Sequence, residues 1–348
     1  MTACPIDSRD LAAAGPADFG TVTTVPGLAP GFTGQFTSRY LHVNGVRLHV
    51  VTGGTGPPLM LVGGWPQFWW QWRKIMPRLA SDFSLVVADP RGLGASAKPG
   101  KGYDAGTAAA DLLAVMDQLG YERFALAGHD VGGWLSYAVA ADAPERISRL
   151  VLMEASLPGI SQDPGILPDD TPGTGRLWHL MFSRLSDASE RLAQGREQAC
   201  LRGQFAVNGA TPAAIPPDSA EVYLRALSQP GALHAAFRYY REVKATIRQN
   251  RQRARSRPLP MPVLAIGGAA SRGDTVAADA RAIARDVTPL TIDGCGHYVP
   301  EEAPDELLGA LSDFFHDAGA TSNALHDVRG VCQLKGVTSV SFVTCVRR

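Results

Sequence analysis

The apolar and polar positions first fall into a regular pattern at Tyr40-Leu41-His42-Val43-Asn44-Gly45-Val46-Arg47-Leu48-His49-Val50-Val51. Two alternating runs flank Asn-Gly, a pair that readily adopts positive φ, so the stretch predicts a β-hairpin. A Gly/Pro-rich turn follows (Gly53 to Pro58). Leu59-Met60-Leu61-Val62 is then apolar without a break, as expected of a strand covered on both faces. Similar runs recur at Leu85 to Ala88, Phe124 to Leu126, Arg149 to Met153, Pro262 to Gly267 and Pro289 to Ile292. Between them lie stretches of helical period. Leu112, Val115, Met116 and Leu119 share one face of a helix over 107–119 that ends at Gly120. A last helix runs to about Phe315. Eight strands, the later ones alternating with helices, predict a doubly wound α/β sheet with sites at the carboxyl ends of its strands.

The alternation is interrupted once. Residues 157–260 begin as Pro/Gly/Asp-rich loop, turn helical and contain no core strand, so they read as an inserted cap. The core is thereby divided into 36–156 and 261–317. The Arg-rich end of the cap, Arg248 to Arg257, reads as a solvated helix end. Residues 1–35 are Ala/Gly/Pro/Thr-rich and read as a flexible leader. Residues 318–348, β-prone between Val337 and Val346, have no place in the pattern.

Composition narrows the class. With 45% hydrophobic residues among 348, the chain has enough apolar mass for a large core. A formal net charge of zero argues against nucleic acid or an anionic membrane as a main partner. No apolar run is long enough to span a bilayer, and residues 1–35 lack the charged and apolar regions of a secretion signal. The cytoplasm is therefore the default expectation. The five cysteines, Cys4, Cys200, Cys295, Cys332 and Cys345, are scattered without a CxxC pair, which disfavours metal ligation and a disulfide framework.

The candidate chemistry centres on Gly128-His129-Asp130-Val131-Gly132-Gly133. A strand-like run stops at Gly128 and a helical run starts near Val131. This is the pattern of a nucleophile elbow, a strained strand-to-helix turn that lifts one side chain above a sheet. The apex residue is aspartate, which is ionised at neutral pH. A carboxylate can displace a leaving group from saturated carbon and form an ester that water then hydrolyses, whereas serine would form an inert ether. An aspartate elbow points to nucleophilic substitution at sp³ carbon. An ester hydrolase would need serine or cysteine there.

Two further strand ends complete the set. His297 follows Gly294 and Gly296 on a tight loop after the last strand, and histidine is suited to activating water at neutral pH. Glu154 ends an apolar strand, where a carboxylate is costly without a partner, and orienting His297 would supply one. Asp274, in the loop after the Leu264 strand, is the alternative orienter. The chain order Asp130, Glu154, His297 is that of nucleophile, acid and histidine in α/β-hydrolases.

Together with Gly56 to Val62, Gln67 to Trp72, Met153-Glu154-Ala155, Trp178-His179, Ala236 to Arg241, Arg248-Gln249-Asn250, Gly294 to His297 and Pro300-Glu301-Glu302, these motifs make the chain from about Tyr40 to Phe315 resemble α/β-hydrolase-fold epoxide hydrolases, those of the Cif type above all. The resemblance implies a mostly parallel eight-stranded sheet with a helical cap. It also implies that Asp130 is the nucleophile, His297 the base and Glu154 its charge-relay acid. His179 and Tyr240 match the cap pair that hydrogen-bonds the epoxide oxygen, with Tyr239 the alternative to Tyr240. Two such donors would stabilise the alkoxide that ring opening creates. The oxyanion hole would be formed by the Trp65 and Val131 N–H groups. Trp69, Trp178, Phe182 and Tyr239, with Trp65 and Phe68, suggest a pocket for a small apolar epoxide, with water as the second substrate, packing between cap and core being the alternative role of the aromatic cluster. No cofactor or metal is implied, and a homodimer is compatible with the resemblance.

One departure stands out. The family has histidine in a His-Gly-x-Pro motif where this chain has Gly63-Gly64-Trp65-Pro66. The backbone donors remain, but a side chain that stiffens the loop is lost, which predicts a less ordered oxyanion hole. Two other readings compete. A dehalogenase would share the aspartate, but the arginine of fluoroacetate dehalogenases and the tryptophan of haloalkane dehalogenases after the nucleophile are both replaced by Val131. A non-catalytic ligand-binding protein of the same fold has only Gly63 in its favour.

Overall fold

The structure, a computed structural model, describes residues 19–162 and 178–316. The tail 318–348 lies outside the described residues. Eight strands form one sheet: β1 Phe36–Val43, β2 Val46–Gly53, β3 Pro58–Val62, β4 Ser84–Ala88, β5 Phe124–His129, β6 Ile147–Met153, β7 Val263–Gly268 and β8 Val287–Ile292. Their spatial order is β1-β2-β4-β3-β5-β6-β7-β8. β1, β2 and β4 pair antiparallel, and β3 to β8 with β4 are parallel. The hairpin turns at Asn44 and Gly45, both at positive φ, as the Asn-Gly pair predicts. The uninterrupted apolar runs lie in the middle. Leu59 to Val62 and every residue of β5 are buried, because helices cover both faces of the parallel strands.

Where the chain order reverses, between β3 and β5, the carboxyl ends of strands leave a crevice. β3 delivers residues 63–65 to it, β5 delivers Asp130 and β6 delivers Glu154. The loop after β8 delivers His297. Between β6 and β7 the described chain is helical: Trp178–Arg184, Ser186–Ala193, Glu197–Asn208, Pro217–Leu227, Ala232–Arg241 and Val243–Ser256. These helices are tied to the strand-bearing part by buried polar contacts. Tyr239 Oη donates to the Arg91 carbonyl at 2.9 Å, and Tyr223 Oη donates at 2.6 Å to Glu301, which also pairs with Arg73. In the Arg-rich end, Arg251, Arg255 and Arg257 are exposed, while Arg253 pairs with Asp142. Among the described residues no helix is long and apolar enough to cross a membrane.

The N-terminal segment differs from expectation. Residues 19–35 are not a leader but part of the packing, with Phe19, Val22, Val25 and Phe32 buried. Trp69 Nε1 donates to the Gly20 carbonyl at 2.6 Å and Trp70 Nε1 to the Pro26 carbonyl at 3.0 Å. The segment supplies apolar cover and two acceptors to a tryptophan cluster. Its Gly, Thr and Pro content hides four widely spaced core residues.

Candidate active site

Asp130 has φ 55°, ψ −123°, outside the regions comfortable for a residue with Cβ. The sequence permits this because its neighbours are stripped back. A Cβ on Gly128 would lie 2.4 Å from the Gly132 carbonyl oxygen, and one on Gly132 would lie 2.2 Å from the Val62 carbonyl oxygen. The Asp130 N–H is held by the Met153 carbonyl at 3.1 Å. The helix Val131–Asp142 begins at the next residue and turns its N-terminus to the carboxylate.

His297 bridges the two carboxylates. Its Nδ1 is 3.0 Å from Glu154 Oε2 and its Nε2 is 3.5 Å from Asp130 Oδ2. Glu154 is 1% exposed, yet each oxygen is satisfied. Oε1 accepts from the Gly268 N–H at 2.8 Å and the Arg272 N–H at 3.2 Å, while Oε2 accepts from Ser271 Oγ at 2.7 Å. Asp274, the alternative orienter, is exposed and bonded to Thr291. The loop of His297 is itself anchored. Its N–H donates to the Asn208 carbonyl at 2.9 Å, and His129 Nε2 donates to its carbonyl at 2.7 Å.

The electrostatics follow from this bridge. Burial disfavours the Asp130 carboxylate, but the hydrogen bond and charge of His297 outweigh it and hold the carboxyl below its ordinary value. The N–H of Val131 acts in the same direction. Burial pushes Glu154 up, and His297, Ser271 and Gly268 bring it below its usual range. Burial also favours neutral His297, yet the bonds to Asp130 and Glu154 prevail and raise it to about 9. His129, buried and beside the His297 charge, falls to about 4 and stays a neutral donor.

Four rings meet in Trp65, Trp134, His179 and Tyr240. His179 stacks on Trp65 at 5.7 Å, and Tyr240 meets Trp65, Trp134 and His179 edge-on at 5.9, 6.0 and 5.6 Å. Among the described residues Tyr240 Oη is buried without a hydrogen-bond partner, and burial, followed by the Asp130 charge, raises its pKa. Gln204 Nε2 donates to His179 Nδ1 at 3.2 Å. An acceptor at Nδ1 places the ring proton on Nε2. Gln204, on a polar helix 25 residues further along the chain, carries no sequence signal for this contact.

The remaining expectations separate. Tyr239 sits edge-on to Tyr103 at 5.1 Å, and its hydroxyl is committed to Arg91, so it anchors its helix to the loop after β4. Trp69 is fully buried beside Phe32, Phe68 and His49, so its ring serves packing and not substrate binding. Trp178 is 38% exposed and touches His179 and Phe182, and Phe182 packs on Phe237. In the oxyanion loop, a Cβ on Gly64 would lie 2.4 Å from Asp130 Oδ1, so this glycine is required by close approach. A Cβ on Gly63 would lie 3.2 Å from the side-chain carbonyl carbon of Gln71, whose buried amide thus occupies the space a residue at 63 would enter.

Comparison with known proteins agrees with this fold. The model of the alpha/beta hydrolase fold family matches residues 57–304. A soluble epoxide hydrolase from Corynebacterium sp. (strain C12) is 31% identical over 289 residues, covering 81% of this chain and 98% of that protein. A fluoroacetate dehalogenase from Burkholderia sp is 27% identical over 296 residues, covering 81% and 95%. The crystal structure of Cfl2 from Burkholderia cenocepacia superposes with a TM-score of 0.79 at 37% identity, covering 83% of this chain and 98% of that one.

Proposed function

The chain belongs to the alpha/beta hydrolase fold family, and on that premise we propose that it is an epoxide hydrolase. Asp130 attacks one carbon of an apolar epoxide, a C–O bond of the ring breaks, and a hydroxyalkyl ester of Asp130 forms. His179 Nε2–H and Tyr240 O–H donate to the departing oxygen, and Tyr240 delivers the proton that makes it a hydroxyl. His297, oriented by Glu154, then takes a proton from water. The resulting hydroxide attacks the ester carbonyl, and the Trp65 and Val131 N–H groups stabilise the oxyanion. Collapse expels the alkoxide, which takes the proton from His297 and leaves as a vicinal diol, while the Asp130 carboxyl returns its proton to the Tyr240 phenolate.

The observation that carries this reading is the buried Tyr240 hydroxyl, which feels the Asp130 charge and has no hydrogen-bond partner among the described residues, with His179 edge-on beside it at 5.6 Å. An epoxide oxygen stays tethered to the substrate and gains negative charge, so two converging donors fit it. The dehalogenase reading draws on the fluoroacetate dehalogenase relative. Against it stands Val131, which offers no cation for a substrate carboxylate and no ring N–H for a halide. Trapping the ester in His297→Gln protein, with an epoxide and with an alkyl bromide, tests the choice.

A further inference from the structure

A second constellation lies at the antiparallel edge of the sheet. Tyr40 on β1 pairs directly with His49 on β2, so Ser38, two residues earlier, is the diagonal neighbour of His49 on the same face. Ser38 Oγ is 2.8 Å from His49 Nε2, and His49 Nδ1 is 2.9 Å from Asp89 Oδ2. His49 and Asp89 are completely buried, while Ser38 is half-buried. Asp89 accepts from the Trp69 N–H at 2.7 Å and the Ala95 N–H at 3.2 Å, as a carboxylate does. The proton between His49 and Asp89 therefore sits on Nδ1. That leaves Nε2 as the acceptor of the Ser38 hydroxyl.

The serine opens onto space. It lines a cleft of about 510 Å³ with Thr21, Val22, Thr24, Phe36 and Tyr40. The Val22 N–H donates to Ser38 Oγ at 2.9 Å and fixes the position of the hydroxyl. The cleft shares no residue with the surroundings of Asp130. A nucleophile, a base, an orienting acid and an accessible cavity are parts of an acyl-transfer site.

We infer that Ser38, His49 and Asp89 form a second nucleophilic site that takes the acyl group of small carboxylic esters. Ser38 Oγ attacks the carbonyl carbon while its proton passes to His49 Nε2 and the carbonyl electron pair moves to oxygen. Collapse breaks the C–O bond, and the leaving alkoxide takes the proton from His49. An acyl-Ser38 ester remains. Water attacks it with His49 again accepting a proton, and the carboxylic acid leaves as serine is restored.

The test uses Asp130→Asn protein, so that the first site cannot contribute. A fluorophosphonate probe is added, and modified peptides are located by mass spectrometry. Attack by Ser38 forms a P–O bond and expels fluoride. The expected result is phosphonylation at Ser38, with turnover of 4-nitrophenyl acetate that falls by at least roughly tenfold in the Ser38→Ala/Asp130→Asn protein. Ser38→Ala alone leaves epoxide hydrolysis unchanged. Absence of label at Ser38 overturns the proposal, and so does ester turnover indifferent to Ser38→Ala. The labelling result needs no Ser38 variant to fold.

Discussion

Gln204 Nε2 lies 3.2 Å from His179 Nδ1, and this contact decides which nitrogen of the ring carries its proton. With Nδ1 accepting, Nε2–H is the donor on offer to the substrate. Replacing Gln204 by alanine frees the tautomer. We expect ester formation to slow by roughly fivefold, the worth of about one hydrogen bond, with ester hydrolysis unchanged. Stopped-flow measurement of the two steps separates them, and an equal effect on both steps refutes the tautomer argument.

The two adjacent tyrosines have separate fates. Tyr240→Phe removes a donor from the developing alkoxide and should slow ring opening by roughly 10²-fold. Tyr239→Phe removes the bond to the buried Arg91 carbonyl and should cost about 1–3 kcal/mol of stability with little effect on ring opening. Thermal unfolding and pre-steady-state kinetics on both variants check this. The reverse pattern would exchange their roles.

Glu154→Gln should slow ester hydrolysis by more than roughly tenfold while sparing alkylation, because the imidazole loses the carboxylate that orients it. Asp274→Asn should change neither step, since Asp274 is exposed and bonded to Thr291. A hydrolysis defect confined to Asp274→Asn would move the acid.

The pH dependence has a sign fixed by charge. In the resting protein His297 is raised to about 9, after burial is outweighed, by its bonds to Asp130 and Glu154. Alkylation converts the Asp130 carboxylate to a neutral ester and removes part of that support. The histidine pKa then falls, and the ring becomes the base the second step needs. Titration of His297 by NMR should give a value near 9 in the native protein and a lower one in Asp130→Asn. Because the folded value exceeds 6.5, the pair stabilises the fold fully below pH 6.5 and loses this contribution as pH rises through about 9. An unchanged titration in Asp130→Asn contradicts the account.

The legible parts of the chain are those where one local pattern carries the information. Asp130 and Glu154 each stand at the end of an apolar strand and His297 on the glycine-bounded loop after the last strand, and the strand order fixes their meeting. Asn44-Gly45 announces its hairpin for the same reason. Residues whose roles depend on distant partners are not legible. Trp69 is aromatic and near the oxyanion loop, but the N-terminal segment that encloses it offers a single carbonyl, at Gly20, as the deciding contact. Gln204 is one polar residue on a polar helix. Tyr239 and Tyr240 are neighbours with identical side chains, and only the helix phase sends one to Arg91 and the other to Trp65. At Gly63 the sequence shows the loss of a side chain, whereas the packing adds that the Gln71 amide has taken its space.

The central claim is a covalent ester on Asp130 formed by epoxide opening. The most direct measurement is the intact mass of His297→Gln protein after incubation with styrene oxide and, separately, with 1-bromobutane. Blocking the second step accumulates the first intermediate. The account predicts an adduct of the mass of styrene oxide, located on Asp130, and none from the bromide. An adduct from the bromide alone, or an epoxide adduct that persists in the Asp130→Asn/His297→Gln protein, would contradict it.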